Sequence, residues 1–180
     1  MKKCLTILIV VCILFTPFSL MAEIKFMTSE EARDFVDHLN KLFYQDFKVI
    51  KILDKEMTYV SISGDAKKIG LDADELTDYL RLSVEKNFTS IKLEDAPFDK
   101  YEPEQKGRIE VTAWIVGEDY PVVYYVRGKL RNFSSLQCVI WEDERLGLGS
   151  KGDVPDSIKK CIDGIVKDLA TDFFTVRGDF

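Results

Sequence analysis

Catalysis in a chain of this kind needs a nucleophile with its base, paired carboxylates, a metal cluster or a phosphate loop. The sequence offers fragments of each. Trp141-Glu142-Asp143-Glu144-Arg145 sets three acids in a row after a tryptophan. A glycosidase needs two carboxylates held across a cleft, whereas consecutive acids at a strand end read as a solvated edge that resists aggregation. Gly147, Gly149 and Gly152 precede a helical stretch, but no Lys-Ser/Thr opens that helix. The spacing is therefore neither a dinucleotide fingerprint nor a P-loop. Ser134, Ser135 and Ser150 lack a nucleophile elbow. His38 is the only histidine, which excludes a His-rich zinc site within one chain. At the edge of an apolar helical stripe it reads as a flanking surface residue. Asp72, Asp74 and Glu75 gather at a helix start, where acids serve the cap and the helix dipole. No calcium-loop glycine spacing accompanies them. No catalytic set, metal site or cofactor is expected.

Two cysteines remain once the N-terminal apolar run with Cys4 and Cys12 is set aside, and these are Cys138 and Cys161. Both fall on core-facing positions of consecutive elements. In an oxidising compartment an even pair reads as a disulfide. It would close a loop of 161 − 138 = 23 residues, adding on the order of 3 kcal/mol in the chain-entropy account. The alternative is two separate buried thiols that pack as small hydrophobes. The absence of a Cys-x-x-Cys motif argues against a thiol oxidoreductase.

Residues 1–22 read as a secretory signal. Lys2 and Lys3 start it, residues 5–15 form an apolar run, Pro17 breaks the run and Ala22 offers a small residue for cleavage. The run is shorter than the ~20 residues of a membrane span, so a retained anchor is the lesser reading. The expected protein is exported, periplasmic or secreted, with no stable membrane insertion after cleavage. The chain carries a net charge of −6, and without Lys2 and Lys3 the balance is 23 − 31 = −8. A surface that acidic repels nucleic acid and anionic lipid.

The elements that must position any site follow from periodicity. The stretch 28–45 predicts a helix, with Thr28 and Glu31 as a capping box and Ala32, Phe35, Val36, Leu39, Leu42 and Phe43 as its buried stripe. Residues 47–53 and 57–63 predict strands, joined by a hairpin at Lys55-Glu56 or forming one bent strand. Asp72 caps a second helix with Leu76, Tyr79, Leu80, Leu82, Val84 and Phe88 on its apolar positions. A short strand is expected at 91–93, then an exposed loop to 106. Strands at 108–116, 122–130 and 136–142 make a meander. In the last of these, Leu136, Cys138 and Ile140 point one way, and Val139 and Trp141 the other. Residues 146–152 are expected to break the extended pattern. Asp153 and Pro155 then open a long helix whose stripe is Ile158, Cys161, Ile162, Ile165, Val166, Leu169 and Phe173.

Val139-Ile140-Trp141, Leu146-Gly147-Leu148-Gly149 and the terminal helix together resemble a loose group of small exported bacterial proteins of unknown function. Residues 70–76 resemble their earlier helix start. The order of elements is also similar to the N-terminal α/β module of the periplasmic Tol-system propeller protein. Neither resemblance brings a catalytic residue.

The sequence thus predicts residues 23–180 as a single α+β domain. Its sheet is mainly antiparallel, helices pack on one face, and a long C-terminal helix covers a three-stranded meander. Two functions from different classes follow. One is a non-enzymatic envelope protein that binds a partner or helps an assembly through a sheet edge or groove. The other is a small-ligand binder or hydrolase with a site between sheet and helices. Trp114, Tyr120, Tyr124, Tyr125 and Arg127 are the side chains to follow for either. Tyr125 and Arg127 share one strand face and Tyr124 lies on the other.

Overall fold

A computed structural model describes residues 46–95, 100–133 and 139–178. The chain divides into two units, Met1–Asn40 and Lys41–Phe180, and the described residues all belong to the second. The signal-like residues 1–22 and the helix expected over 28–45 lie outside them. Described elements are β1 (Ile52–Asp54), β2 (Tyr59–Gly64), α1 (Ala73–Asn87), β3 (Lys92–Glu94), β4 (Lys106–Val116), β5 (Val122–Asn132), β6 (Val139–Gly149) and α2 (Val154–Arg177).

The strands form one sheet in the order β3-β1-β4-β5-β6, with β2 also on β4. β4, β5 and β6 are the antiparallel meander. The pairings of β1 and β2 with β4, and of β1 with β3, are parallel. The protein is therefore α+β with a mostly antiparallel sheet, its long C-terminal helix packed against it. Parallel pairing needs a crossover, and α1 supplies one between β2 and β3.

β1 and β2 lie end to end along one edge of β4, so Lys55-Glu56 belongs to one bent strand and not to a hairpin. Polar groups hold the bend. Met57 N–H donates to Asp54 Oδ1 at 3.1 Å, and the buried Thr58 Oγ1 donates to Asp54 O at 2.7 Å. Thr58 Oγ1 also accepts from Ile109 N–H at 3.4 Å.

Alternation on β4 sends Ile109, Val111, Ala113 and Ile115 to the helix side, fully buried against α2 residues Ile158, Ile162, Ile165, Val166 and Leu169. Close approach of α2 to β5 depends on Gly128, where a Cβ would stand 2.3 Å from Ile165 Cγ2. At the far end Phe47, Phe88, Phe173 and Phe174 cluster, ring centroids 5.3 to 5.7 Å apart. The Arg177 guanidinium closes that end, donating to Phe47 O at 3.1 Å and Ile50 O at 2.9 Å.

The helices join through a polar clamp. Asp163 accepts from Tyr79 OH at 2.5 Å and from Ser83 Oγ at 2.7 Å, and Lys159 pairs with Glu75 at 2.6 Å. α1 also guards the outer edge of β2: Thr77 Oγ1 accepts Val60 N–H at 2.9 Å, and Arg81 Nε donates to Thr58 O at 3.2 Å.

Four local expectations need correction. Residues 46–49 are helical, and extended structure starts only at Ile52, because Phe47 is drawn into the aromatic cluster. Leu82 is 65% exposed and lies off the α1 stripe. Asp72 does cap α1, accepting from Asp74 and Glu75 N–H, but the Asp153 carboxylate accepts from Ser150 Oγ and caps no amide of α2. Residues 146–149 do not break the strand; they continue β6, paired with Val122–Tyr125 of β5.

Candidate functional site

The second face of the sheet carries the residues with something left to offer. Cross-strand register sets Trp114 beside Tyr125 and Tyr125 beside Leu146. The next row is Val116, Val123 and Leu148. Trp114 is 52%, Leu146 76% and Leu148 65% exposed. Two apolar rows, three strands wide, thus lie open at one end of the face. Exposed apolar side chains are ordinary one at a time, but contiguous ones mark contact surfaces.

The other end of this face is polar and laced with ion pairs. Arg127 reaches Glu142 at 2.6 Å, Arg131 reaches Glu110 at 2.9 Å, and Arg108 reaches Glu110 at 3.0 Å. Tyr125 OH donates to Glu144 Oε2 at 2.7 Å. Partial burial, helped by that bond, pushes the Tyr125 hydroxyl up from its ordinary pKa, so it remains a donor under mildly alkaline conditions. The acids of 142–144 are thus divided. Glu142 and Glu144 serve the open face, while Asp143 turns to the helix side and meets Arg145 at 2.7 Å.

On the helix side of β6, Arg145 also reaches Asp168 at 2.5 Å, and Trp141 Nε1–H donates to Asp172 Oδ2 at 2.9 Å. Ile140 sits at a register shift, which lets both it and Trp141 bury despite strict strand alternation. Tyr124 faces the same side, and its ring covers Gly147, where a Cβ would meet Tyr124 at 2.3 Å. Cys161 is a half-buried free thiol. Desolvation pushes its pKa up, against the opposing pull of Arg145 and Tyr124 beside it. Cys138 lies outside the described residues.

These placements separate the sequence candidates. Trp114 and Tyr125 come together in one row, Arg127 is held by Glu142, Tyr124 is part of the packing on the opposite side, and Tyr120 stands 74% exposed in the β4–β5 loop. Val116, Val123, Leu146 and Leu148 complete the surface and were not anticipated. The period-two spacing of Leu146 and Leu148 was the available signal, masked by Gly147 between them and Gly149 after them.

No protein-family model matches the chain, and no curated protein matches it. Among solved structures, two dodecamer crystal forms of PelC from Paraburkholderia phytofirmans are similar at 12% and 13% identity, with TM-scores of 0.42 and 0.37. They cover 67% and 68% of this chain, and 88% and 89% of their own. A Xanthomonas campestris protein of the DUF330 family is similar at 12% identity and TM-score 0.30, covering 72% of this chain and 83% of its own. None of the three is a Tol-system propeller protein. Likeness at this level names neighbours in shape and carries no functional argument.

Elsewhere the layer between sheet and helices is filled with apolar side chains. A shallow cavity of about 290 Å³ opens beside the start of α1, lined by Ile62, Lys67, Leu71 and residues 72–74. The Asp72 carboxylate on its wall is already engaged as the cap of α1. Among the described residues no group of three His, Cys, Asp or Glu is placed to hold a metal ion, and no helix is long and apolar enough to cross a membrane.

Proposed function

We propose that this protein is an exported, non-enzymatic module of the cell envelope that binds a protein partner on the open face of its sheet. The observation that supports the reading is the pair of apolar rows, Trp114–Tyr125–Leu146 and Val116–Val123–Leu148, on a face that no described helix covers. An extended apolar segment of the partner suits this surface, because a sheet presents side chains in rows with an unpaired edge beside them. Export fits the signal-like residues 1–22. The ligand reading has less behind it, since the interior between sheet and helices is occupied.

The test is capture from native envelope under mild crosslinking, with the parent and a Trp114→Ala/Leu146→Ala variant. The parent is expected to retain a partner, and the variant to lose it at unchanged melting temperature. Removal of a central aromatic anchor weakens binding by about 2 kcal/mol, roughly thirtyfold. Equal recovery by both proteins sinks the proposal. So does recovery of nothing, together with a thermal shift caused by a small metabolite.

A further inference from the structure

We propose that the 146–149 half of β6 pairs antiparallel with the same segment of a second copy of this chain, about a two-fold axis at Gly147. The inference rests on the partner reading above and deepens it by identifying one occupant.

The two edges of the sheet are built differently. At one edge β3 covers β1, and Thr77 and Arg81 occupy outward backbone groups of Val60 and Thr58. Among the described residues, β6 pairs only with β5. The Glu144 amide donates to a side chain, Asp143 Oδ1, at 2.8 Å, as an amide turned away from β5 does. From that bond we take the phase of the strand. Backbone groups alternate in direction, so Leu146 and Leu148 also turn their N–H and C=O outward. Both side chains stand well exposed on the open face, and residues 146–149 carry no charge. An uncharged stretch of exposed edge of this kind is a template for another strand.

Antiparallel partners must set outward-turned residues opposite each other. An axis at Leu146 would oppose Leu148 to Glu144. An axis at Leu148 would oppose Leu146 to Ser150, beyond the end of the strand. An axis at Gly147 opposes Leu146 to Leu148 twice, and each of those pairs exchanges two backbone hydrogen bonds. The arrangement is isologous, as a two-fold interface requires.

Charge points the same way. The chain has a net −6, and two acidic bodies meet with least repulsion where no charge stands, as over residues 146–149. Paired so, the Trp114–Tyr125–Leu146 row of one copy runs into the Leu148–Val123–Val116 row of its neighbour. The apolar face doubles in length.

Sedimentation equilibrium of the purified protein tests the pairing. The parent is expected to be dimeric at micromolar concentration. A Leu146→Lys/Leu148→Lys variant is expected to keep its circular dichroism and weaken association at least about tenfold. The register is read by oxidising a mixture of single Leu146→Cys and Leu148→Cys variants, where crosslinks should join unlike chains in preference to like ones. A monomeric parent, a dimer unmoved by the two lysines, or crosslinks that favour like chains would each overturn the proposal. A monomer whose partner capture still depends on Trp114 removes the self-pairing alone and leaves the docking reading in place.

Discussion

Tyr79 links α1 to α2 through one hydroxyl, donated to Asp163. That bond is the main reason its pKa is raised from 10.0 to about 12, with desolvation adding to it. A group whose pKa is higher in the folded state stabilises fully below its unfolded value, and loses that contribution as pH rises through the folded one. Tyr79→Phe is therefore expected to lower stability by on the order of 1 kcal/mol at neutral pH. Urea melts of parent and variant should converge as pH rises toward about 12; a gap that persists there would contradict the account. Cys161 raises a second residue-scale question. It is a half-buried free thiol with Arg145 and Tyr124 beside it, and Cys138 lies outside the described residues. Whether the two are bridged is read by mass analysis of the unreduced protein: the disulfide proposed from the paired cysteines predicts a loss of two hydrogens, and two free thiols refute it. Sequence periodicity showed that Cys161 lies toward the core.

Strands and helices are where the sequence was most informative and where its errors were systematic. The meander and α2 were legible because apolar residues recur at periods of two and 3.6 over long runs. The continuation of β6 through 146–149 was not, since glycine contributes no side chain to the period. Gly147 is there for the Tyr124 ring and Gly128 for Ile165. Gly128→Ala is expected to destabilise by about 1–3 kcal/mol through overpacking, measured by thermal unfolding. The same change at Gly164, where an added Cβ meets nothing within 4 Å, should be neutral or slightly stabilising. The parallel placement of β1 and β2 on β4 was equally hidden, because it is decided by pairings some fifty residues apart and by the polar groups of Thr58 and Thr77. Thr77→Val leaves the Val60 amide without its acceptor. It should cost about 1–3 kcal/mol, with faster hydrogen exchange at Val60.

For the molecule as a whole, the class of fold was readable and the apolar rows of the open face were not. An apolar row assembled from β4, β5 and β6 has no signature in any one of them, and Trp114 looks the same in sequence whether its strand face is covered or bare. The core has a clearer centre. Phe173 is fully buried among Phe47, Phe88 and Phe174, so Phe173→Ala is expected to remove about 3–5 kcal/mol in urea melts. Next to it, Arg177 ties the carbonyls of Phe47 and Ile50 across 130 and 127 residues of chain. Nearly all of the protein must therefore be synthesised before its earliest described residues find their anchor. A chain still on the ribosome, lacking α2, leaves the inner side of its sheet in water and stays loose. On the proposed export route that delay suits a translocation path that threads unfolded polypeptide. Chains arrested before Val154 should be degraded quickly by added protease, and completed ones should resist it.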